Sequence, residues 1–157
     1  MTHRLLALVL MFGLTAAVRA ETLSCPQLSS AVQIGTCPSE EELKYTFNGY
    51  CSDNARMYGK DTDACTDYQQ YRRLKNTAAW EAADGTFQAY ISCDLAAAAV
   101  LSAEASRIAI VKPGKISQLL CTYQDGIVFT YRTRAECKIE GDGLCGSKRS
   151  ACTATCN

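Results

Sequence analysis

Residues 116–133, ISQLLCTYQDGIVFTYRT, carry the clearest strand-and-turn pattern in the chain. Two segments rich in β-branched and aromatic residues flank Asp125-Gly126, a dipeptide that accommodates the positive φ angles of a two-residue hairpin turn. We therefore predict an antiparallel β-hairpin centred on this pair. A two-residue turn also sets the register of the two strands, and it places Cys121 opposite Thr130.

Further strand signals precede this hairpin. The segment TFQAYISC, residues 86–93, alternates between two sides and predicts a half-buried strand. The segment RIAIVK, residues 107–112, is also typical of a strand, and Pro113-Gly114 after it predicts a turn. We expect these strands to join the hairpin in a mainly antiparallel sheet. The side of the first strand that we expect to face the core carries Phe87, Ala89, Ile91 and Cys93.

The first half of the chain favours helices. Ser39, with Glu42 three residues later, forms a capping-box pattern that predicts a short helix, and Asn48-Gly49 is expected to end it. A second capping box begins a predicted helix over residues 66–83, because apolar residues recur there every three or four positions.

A third helix is expected in the alanine-rich segment DLAAAAVLSAEAS, residues 94–106, with Asp94 at its start. Short N-terminal helices followed by a mainly antiparallel sheet place the chain in the α+β class.

The chain contains ten cysteines, three of them in the C-terminal segment CGSKRSACTATCN. An even number of cysteines in a secreted chain is typical of a disulfide framework, although the sequence leaves the pairing open. The C-terminal segment is otherwise small and polar, so we expect crosslinks to hold it in place. The cysteines predicted to form disulfides are Cys25, Cys37, Cys51, Cys65, Cys93, Cys121, Cys137, Cys145, Cys152 and Cys156.

The N-terminal residues have the pattern of a secretory signal peptide. Arg4 precedes an apolar run from Leu5 to Val18, and small or short residues at Val18 and Ala20 suit a signal peptidase. We predict cleavage after Ala20, so that residues 1–20 are the signal and residues 21–157 a single disulfide-stabilised domain, secreted or periplasmic. No later apolar run approaches the length of a membrane span.

Removal of this signal changes the chemistry that the chain offers. Arg4 and Arg19 leave with it, so 14 of the 16 basic residues remain against 16 acidic ones, a net charge of −2. This near-neutral balance argues against nucleic acid as the partner, since a nucleic-acid site needs a concentrated basic face. The one histidine, His3, leaves as well. Sites that depend on histidine, either nucleophilic or metal-binding, are thereby excluded.

Cysteine spacing also disfavours metal and redox chemistry. A structural zinc site usually includes a close cysteine pair, and a thioredoxin-type site needs Cys-x-x-Cys, which does not occur in the sequence. We therefore predict neither a metal nor a cofactor.

Two pairs of residues are candidates for binding a partner. Tyr68 and Tyr71 lie on one face of the predicted helix, and tyrosine is favoured at interfaces for its large area and polar tip. Arg132 and Arg134 would project from one face of the last hairpin strand, if the strand extends that far, and could clamp a carboxylate.

Carboxylate catalysis is the enzymatic alternative, because it needs only two acids at a suitable separation. Glu81 and Asp84, beside Trp80, form the best local pair, and the predicted helix places them near its C-terminal end. The pattern nonetheless favours a non-catalytic binding protein of the inhibitor or immunity type, with another protein or cell-envelope material as its partner. The alternatives are a small polysaccharide hydrolase using this pair and a structural component of an envelope or secretion assembly.

Overall fold

The computed structural model describes residues 20–146 and 152–157, and the predicted signal peptide lies outside them except for Ala20. The described part of the chain is an α+β structure, as predicted. Its helices are α1 (Glu40–Tyr50), α2 (Asn54–Met57), α3 (Thr62–Thr66), α4 (Tyr68–Lys75) and α5 (Ala97–Ser102). Its strands are β1 (Glu21–Ser24), β2 (Val32–Gln33), β3 (Thr77–Glu81), β4 (Gln88–Ser92), β5 (Ala105–Val111), β6 (Ser117–Tyr123), β7 (Val128–Thr133), β8 (Cys137–Ile139) and β9 (Thr153–Cys156).

The strands form two antiparallel sheets. The larger has six strands in the order β2-β3-β4-β7-β6-β5, and the smaller has three in the order β1-β9-β8. The first and last strands of the described chain, β1 and β9, are therefore neighbours, and Glu21 pairs with Cys156. The predicted turn at Pro113-Gly114 is present between β5 and β6.

The hairpin of β6 and β7 is present, but its predicted register was wrong by one residue. Its loop has three residues, Gln124–Gly126, instead of two, and the Tyr123 N–H donates to the Ile127 carbonyl at 2.8 Å. Asp125 adopts a φ of 56° within this loop. The extra loop residue places Cys121 opposite Phe129 instead of Thr130, so that two side chains with 0% exposure face each other.

One face of the larger sheet carries the core. Phe87, Ala89 and Ile91 are buried on this face, as the alternation predicted, while Cys93 beyond the strand is half-buried. Val100 of α5 has 0% exposure and belongs to the same cluster. The cluster also takes in residues from the N-terminal segment and from the smaller sheet: Leu23, Leu28, Ala31, Cys137, Ala154 and Cys156.

The predicted helix over residues 66–83 was wrong at both ends. Asp67 separates α3 from α4, and its carboxylate accepts from the Gln69 N–H at 2.8 Å, so it is Asp67 that caps the helix. The helix ends at Lys75, and the next five-residue element is a strand, β3. Its alternating burial, a period of two, overrides the helical propensity of its alanines.

Helix starts were predicted with mixed success. The capping box at Ser39 and Glu42 is present, with both of its hydrogen bonds. The helix it begins continues through Asn48-Gly49 to Tyr50 instead of breaking there. In the alanine-rich segment the helix begins at Ala97, not at Asp94, because the Asp94 carboxylate accepts hydrogen bonds from α4 instead.

All ten cysteines are paired. Such a dense set of crosslinks indicates an oxidising extracellular or periplasmic environment. The C-terminal segment is crosslinked, as predicted, once within itself and once to β8. The pairs are Cys25–Cys121, Cys37–Cys93, Cys51–Cys65, Cys137–Cys156 and Cys145–Cys152. None of the helices in residues 20–146 and 152–157 combines the length and the apolar character that a membrane span requires.

Candidate interaction surface

The second face of the six-stranded sheet is open to solvent. Side chains that alternate with the core residues along each strand point away from the core, and those of Gln88, Tyr90, Val128 and Arg132 are exposed. We call this surface the outer sheet face. It consists of Val32, Ala79, Glu81, Gln88, Tyr90, Val128, Thr130, Arg132, Gln118, Leu120, Thr122, Arg107 and Ala109.

Tyr90 lies near the centre of the outer sheet face. Its strand, β4, pairs with β3 on one side and with β7 on the other. On one side, Tyr90 pairs with Ala79 of β3. On the other side, Gln88 of β4 pairs with Thr130 of β7. Because these two strands are antiparallel, Tyr90, two residues after Gln88, lies next to Val128, two residues before Thr130. The Tyr90 side chain is nevertheless 82% exposed. A large aromatic side chain is therefore solvent-exposed near the centre of the sheet.

Other apolar side chains extend this exposed region towards the sheet edge. Ile34 follows β2, and its N–H donates to the Ala79 carbonyl at 2.9 Å, which places it beside β3. Val32 and Ile34 are each 56% exposed, and Val128 is 36% exposed. We call Val32, Ile34, Tyr90 and Val128 the apolar patch. Contiguous exposed apolar patches on soluble proteins mark interaction sites more often than isolated exposed residues do.

Charged groups border the apolar patch. Glu81 lies between Val32 and Gln88 in the register, and its Oε1 accepts from Gln88 Nε2 at 2.9 Å. Arg107 and Arg132 are exposed on the strands at the other side of the face. An apolar centre with polar and arginine-containing borders is the composition found in protein–protein interfaces.

The two candidate tyrosines are occupied within the protein. Tyr71 is 2% exposed and packs its ring against Phe47 and Tyr50, with ring centroids 5.2 and 5.5 Å apart. Tyr68 is half-buried, and its hydroxyl donates to Glu40 at 2.7 Å. Burial and this hydrogen bond raise the pKa of Tyr68 to about 12. Both tyrosines thus form the small core of the helical segment.

The two candidate arginines occupy different settings. Arg132 lies on β7, paired with Gln118, whereas the strand ends at Thr133 and Arg134 falls in the bend that follows. The strand therefore does not extend far enough to carry both side chains. Arg132 is exposed and belongs to the outer sheet face. Arg134 is also exposed, but it follows the strand and does not belong to this face.

The candidate acids do not share a shielded site. Trp80 is 6% exposed on the core side of β3, so its neighbour Glu81 points to the opposite face. Trp80 therefore cannot shield that carboxylate. Asp84 lies in the turn between β3 and β4, where hydrogen bonds from Thr86 lower its pKa. A lowered pKa favours the ionised carboxylate, which is the state of a nucleophile or base and not of a proton donor.

The alternation in residues 86–93 that buries Phe87, Ala89 and Ile91 puts Tyr90 on the opposite side of β4. Its residue type alone does not distinguish an interface from a core, because tyrosine is common in both. Ile34 offered no signal, since its neighbourhood is set by pairing with β3.

Among residues 20–146 and 152–157, no group of three or more His, Cys, Asp or Glu side chains is arranged to hold a metal ion. Comparisons of the chain with protein-family models, with curated proteins and with solved structures found no match.

Proposed function

We propose that the chain is a secreted or periplasmic, non-catalytic binding protein that uses the outer sheet face to bind another protein. The main support for this proposal is that Tyr90 is 82% exposed although it lies near the centre of a six-stranded sheet. Aromatic residues with a polar tip, held on a rigid strand, contribute strongly to protein interfaces because little side-chain entropy is lost on binding.

The disulfides support the same proposal through rigidity. Cys25–Cys121 joins the N-terminal segment to β6, and Cys37–Cys93 joins the segment before α1 to the end of β4. Crosslinks that hold the sheet in one shape reduce the entropy lost when it meets a partner. Processing after Ala20 and export to an oxidising compartment belong to the proposal, since these crosslinks form there.

A protein is the favoured partner over a saccharide or another cell-envelope polymer at this face. The apolar patch is built from Val32, Ile34 and Val128 around one tyrosine, and aliphatic side chains suit a dry protein contact. Arg107 and Arg132 at the border offer charge-assisted hydrogen bonds to acidic groups of that partner.

Two tyrosines of equal exposure provide the test. Tyr90 and Tyr58 are both 82% exposed, but Tyr58 lies just after α2, away from the outer sheet face. The oxidised full chain is exported from the source cells with an affinity tag, and partners are captured after chemical crosslinking. We expect Tyr90→Ser to abolish capture of a stoichiometric protein and Tyr58→Ser to retain it. Equal capture by both variants would contradict the proposal.

A further inference from the structure

The helical segment contains a groove that the outer sheet face does not use. It lies among α1, α2, α4 and the segment before α1, and it has a volume of about 920 Å³. Tyr45 and Tyr50 line it with aromatic surface above the buried Leu43 and Tyr71, and Arg56 and Lys75 bring two cations. Aromatic surface combined with a few charged groups is the usual lining of a small-ligand site.

Both cations are held against one ring. The Arg56 Cζ lies 4.1 Å and the Lys75 Nζ 4.7 Å from the centroid of the Tyr50 ring. Each cation is attracted by the ring, and because both lie within 5 Å of its centroid, the two positive groups are at most about 9 Å apart and repel each other. Within the described residues, Lys75 has no carboxylate at salt-bridge distance. An anionic ligand at this place would therefore meet two cations that adjoin the same ring.

The nearby acids are already engaged. Glu42, the acid in the lining, accepts from the Ser39 N–H at 2.7 Å within the capping box. Asp61 accepts from the Tyr50 hydroxyl at 2.9 Å, which raises the pKa of Tyr50 and keeps the ring neutral. Asp53 caps α2 through the Ala55 N–H and lies 3.8 Å from the Arg56 Nε. Arg56 thus already has a carboxylate, that of Asp53, nearby, so Lys75 is the cation most available to a ligand.

The rest of the lining favours a saccharide. Tyr45 is 80% exposed, so its ring is free to stack on the apolar face of a sugar, and Thr36 and Asn48 offer a hydroxyl and an amide to its hydroxyl groups. We propose that this groove binds a carboxylate-bearing saccharide, with the acid between Arg56 and Lys75 and the sugar ring against Tyr45. Tyrosine rings beside a cation and polar side chains suit such a ligand better than an apolar peptide.

Gly49 provides a way to close the groove without breaking the fold. It lies in the last turn of α1 and lines the groove, and a Cβ added there would meet no atom within 4 Å. A larger residue at this place also favours the helix, since glycine is a poor helix former. Gly49→Gln should therefore leave the helical segment folded while its side chain occupies ligand space.

Calorimetric titration of the oxidised full chain with tri-galacturonate tests the proposal. We expect binding, a loss of about tenfold or more in affinity for Lys75→Gln, and a similar loss for Gly49→Gln. Lys115→Gln, in the turn between β5 and β6, is the matched control and should bind like the wild type. Circular dichroism of each variant checks that the fold is kept.

Two further ligands separate charge from sugar recognition. The methyl ester of tri-galacturonate keeps the rings but removes the carboxylates, and we expect it to bind at least about tenfold more weakly. Tri-glutamate keeps the charges without the rings, and it should also bind more weakly. Absence of tri-galacturonate binding, equal binding of the ester, or equal binding of tri-glutamate would each overturn the assignment. None of these outcomes bears on the Tyr90 comparison, because the outer sheet face and the groove are formed by different residues.

Discussion

Arg72 on α4 makes two hydrogen bonds to the carboxylate of Asp94, from Nη1 at 2.9 Å and from Nη2 at 3.0 Å. The Nε of the same guanidinium donates to Glu40 at the start of α1, at 3.2 Å. Asn76 donates to Asp94 as well, at 3.0 Å. One arginine therefore joins two helices to the segment that follows β4. This network positions the helical segment, and with it the groove, relative to the sheet.

Loss of Arg72 should loosen the helical segment. We expect Arg72→Gln to lower the midpoint of thermal unfolding and to increase amide exchange in α1 and α4 more than in β6. Arg73→Gln on the same helix is the matched control, because Arg73 is exposed and makes none of these contacts. Hydrogen-exchange mass spectrometry of both variants measures the effect. Equal protection in the two variants would show that the network does not hold the segment.

The same network predicts a dependence of stability on pH. Hydrogen bonds from Arg72 lower the pKa of Asp94 from its ordinary 3.8, and the Tyr68 hydroxyl followed by Arg72 lowers the pKa of Glu40 from its ordinary 4.5. Carboxylates with lowered pKa values stabilise the fold above their ordinary values, and this stabilisation is lost as the pH falls through the folded-state values.

Denaturant titrations at several pH values measure this dependence. The difference in unfolding free energy between wild type and Arg72→Gln should be full above a pH of about 5 and shrink below about 4. A difference that stays constant down to pH 2 would contradict the assigned role of Asp94 and Glu40. Salt should reduce the same difference at neutral pH, because all the partners are accessible to solvent.

Neighbouring side chains of β7 face opposite sides of the sheet, so their substitution should affect stability differently. Phe129 has 0% exposure, whereas its neighbour Val128 lies on the outer sheet face. We expect Phe129→Ala to destabilise the protein by about 3–5 kcal/mol. Val128→Thr, which keeps a β-branched residue, should change stability by no more than about 0.5 kcal/mol. Denaturant unfolding checks both values, and a large effect of Val128→Thr would speak against an exposed position.

The disulfide pattern is directly measurable. Peptide mapping of the oxidised protein without reduction should recover Cys25 linked to Cys121 and Cys37 linked to Cys93. Replacing the second pair with serines removes a crosslink between positions 56 residues apart, and we expect a loss of about 2–5 kcal/mol. Recovery of Cys37 bound to a different cysteine would contradict the arrangement of the helical segment.

Local patterns in the sequence were enough to predict some elements but not others. The burial of Phe87, Ala89 and Ile91 follows from strict alternation, and the helix start at Ser39 follows from its capping box. The hairpin was recognisable from Asp125-Gly126, but the one-residue error in register arose because the loop length is chosen by the burial of Cys121 and Phe129. That choice depends on the opposite side of the core, which a local pattern does not contain.

Local sequence patterns predicted the surroundings of the candidate site residues even less well than they predicted the secondary structure. Tyr71 was predicted to bind a partner because tyrosine is favoured at interfaces, yet the rings of Phe47 and Tyr50 enclose it. Glu81 was placed at a helix end together with Trp80, and the strand instead sends the two side chains to opposite faces. The local alternation places Tyr90 on the solvent side of β4, but its position near the centre of the sheet depends on the order β3-β4-β7, which no local spacing reveals.

Site-specific photocrosslinking identifies a protein that contacts the outer sheet face. A benzophenone amino acid is placed at Tyr90 in one sample and at Tyr58 in another, and the exported, oxidised full chain is irradiated with its native surroundings. We expect the probe at position 90 to give a discrete crosslinked product with one protein, and the probe at position 58 to give none. Unlabelled wild type should compete for this product, and Tyr90→Ser should not. The same product from both positions, or from Tyr58 alone, would contradict the claim that the outer sheet face binds the partner.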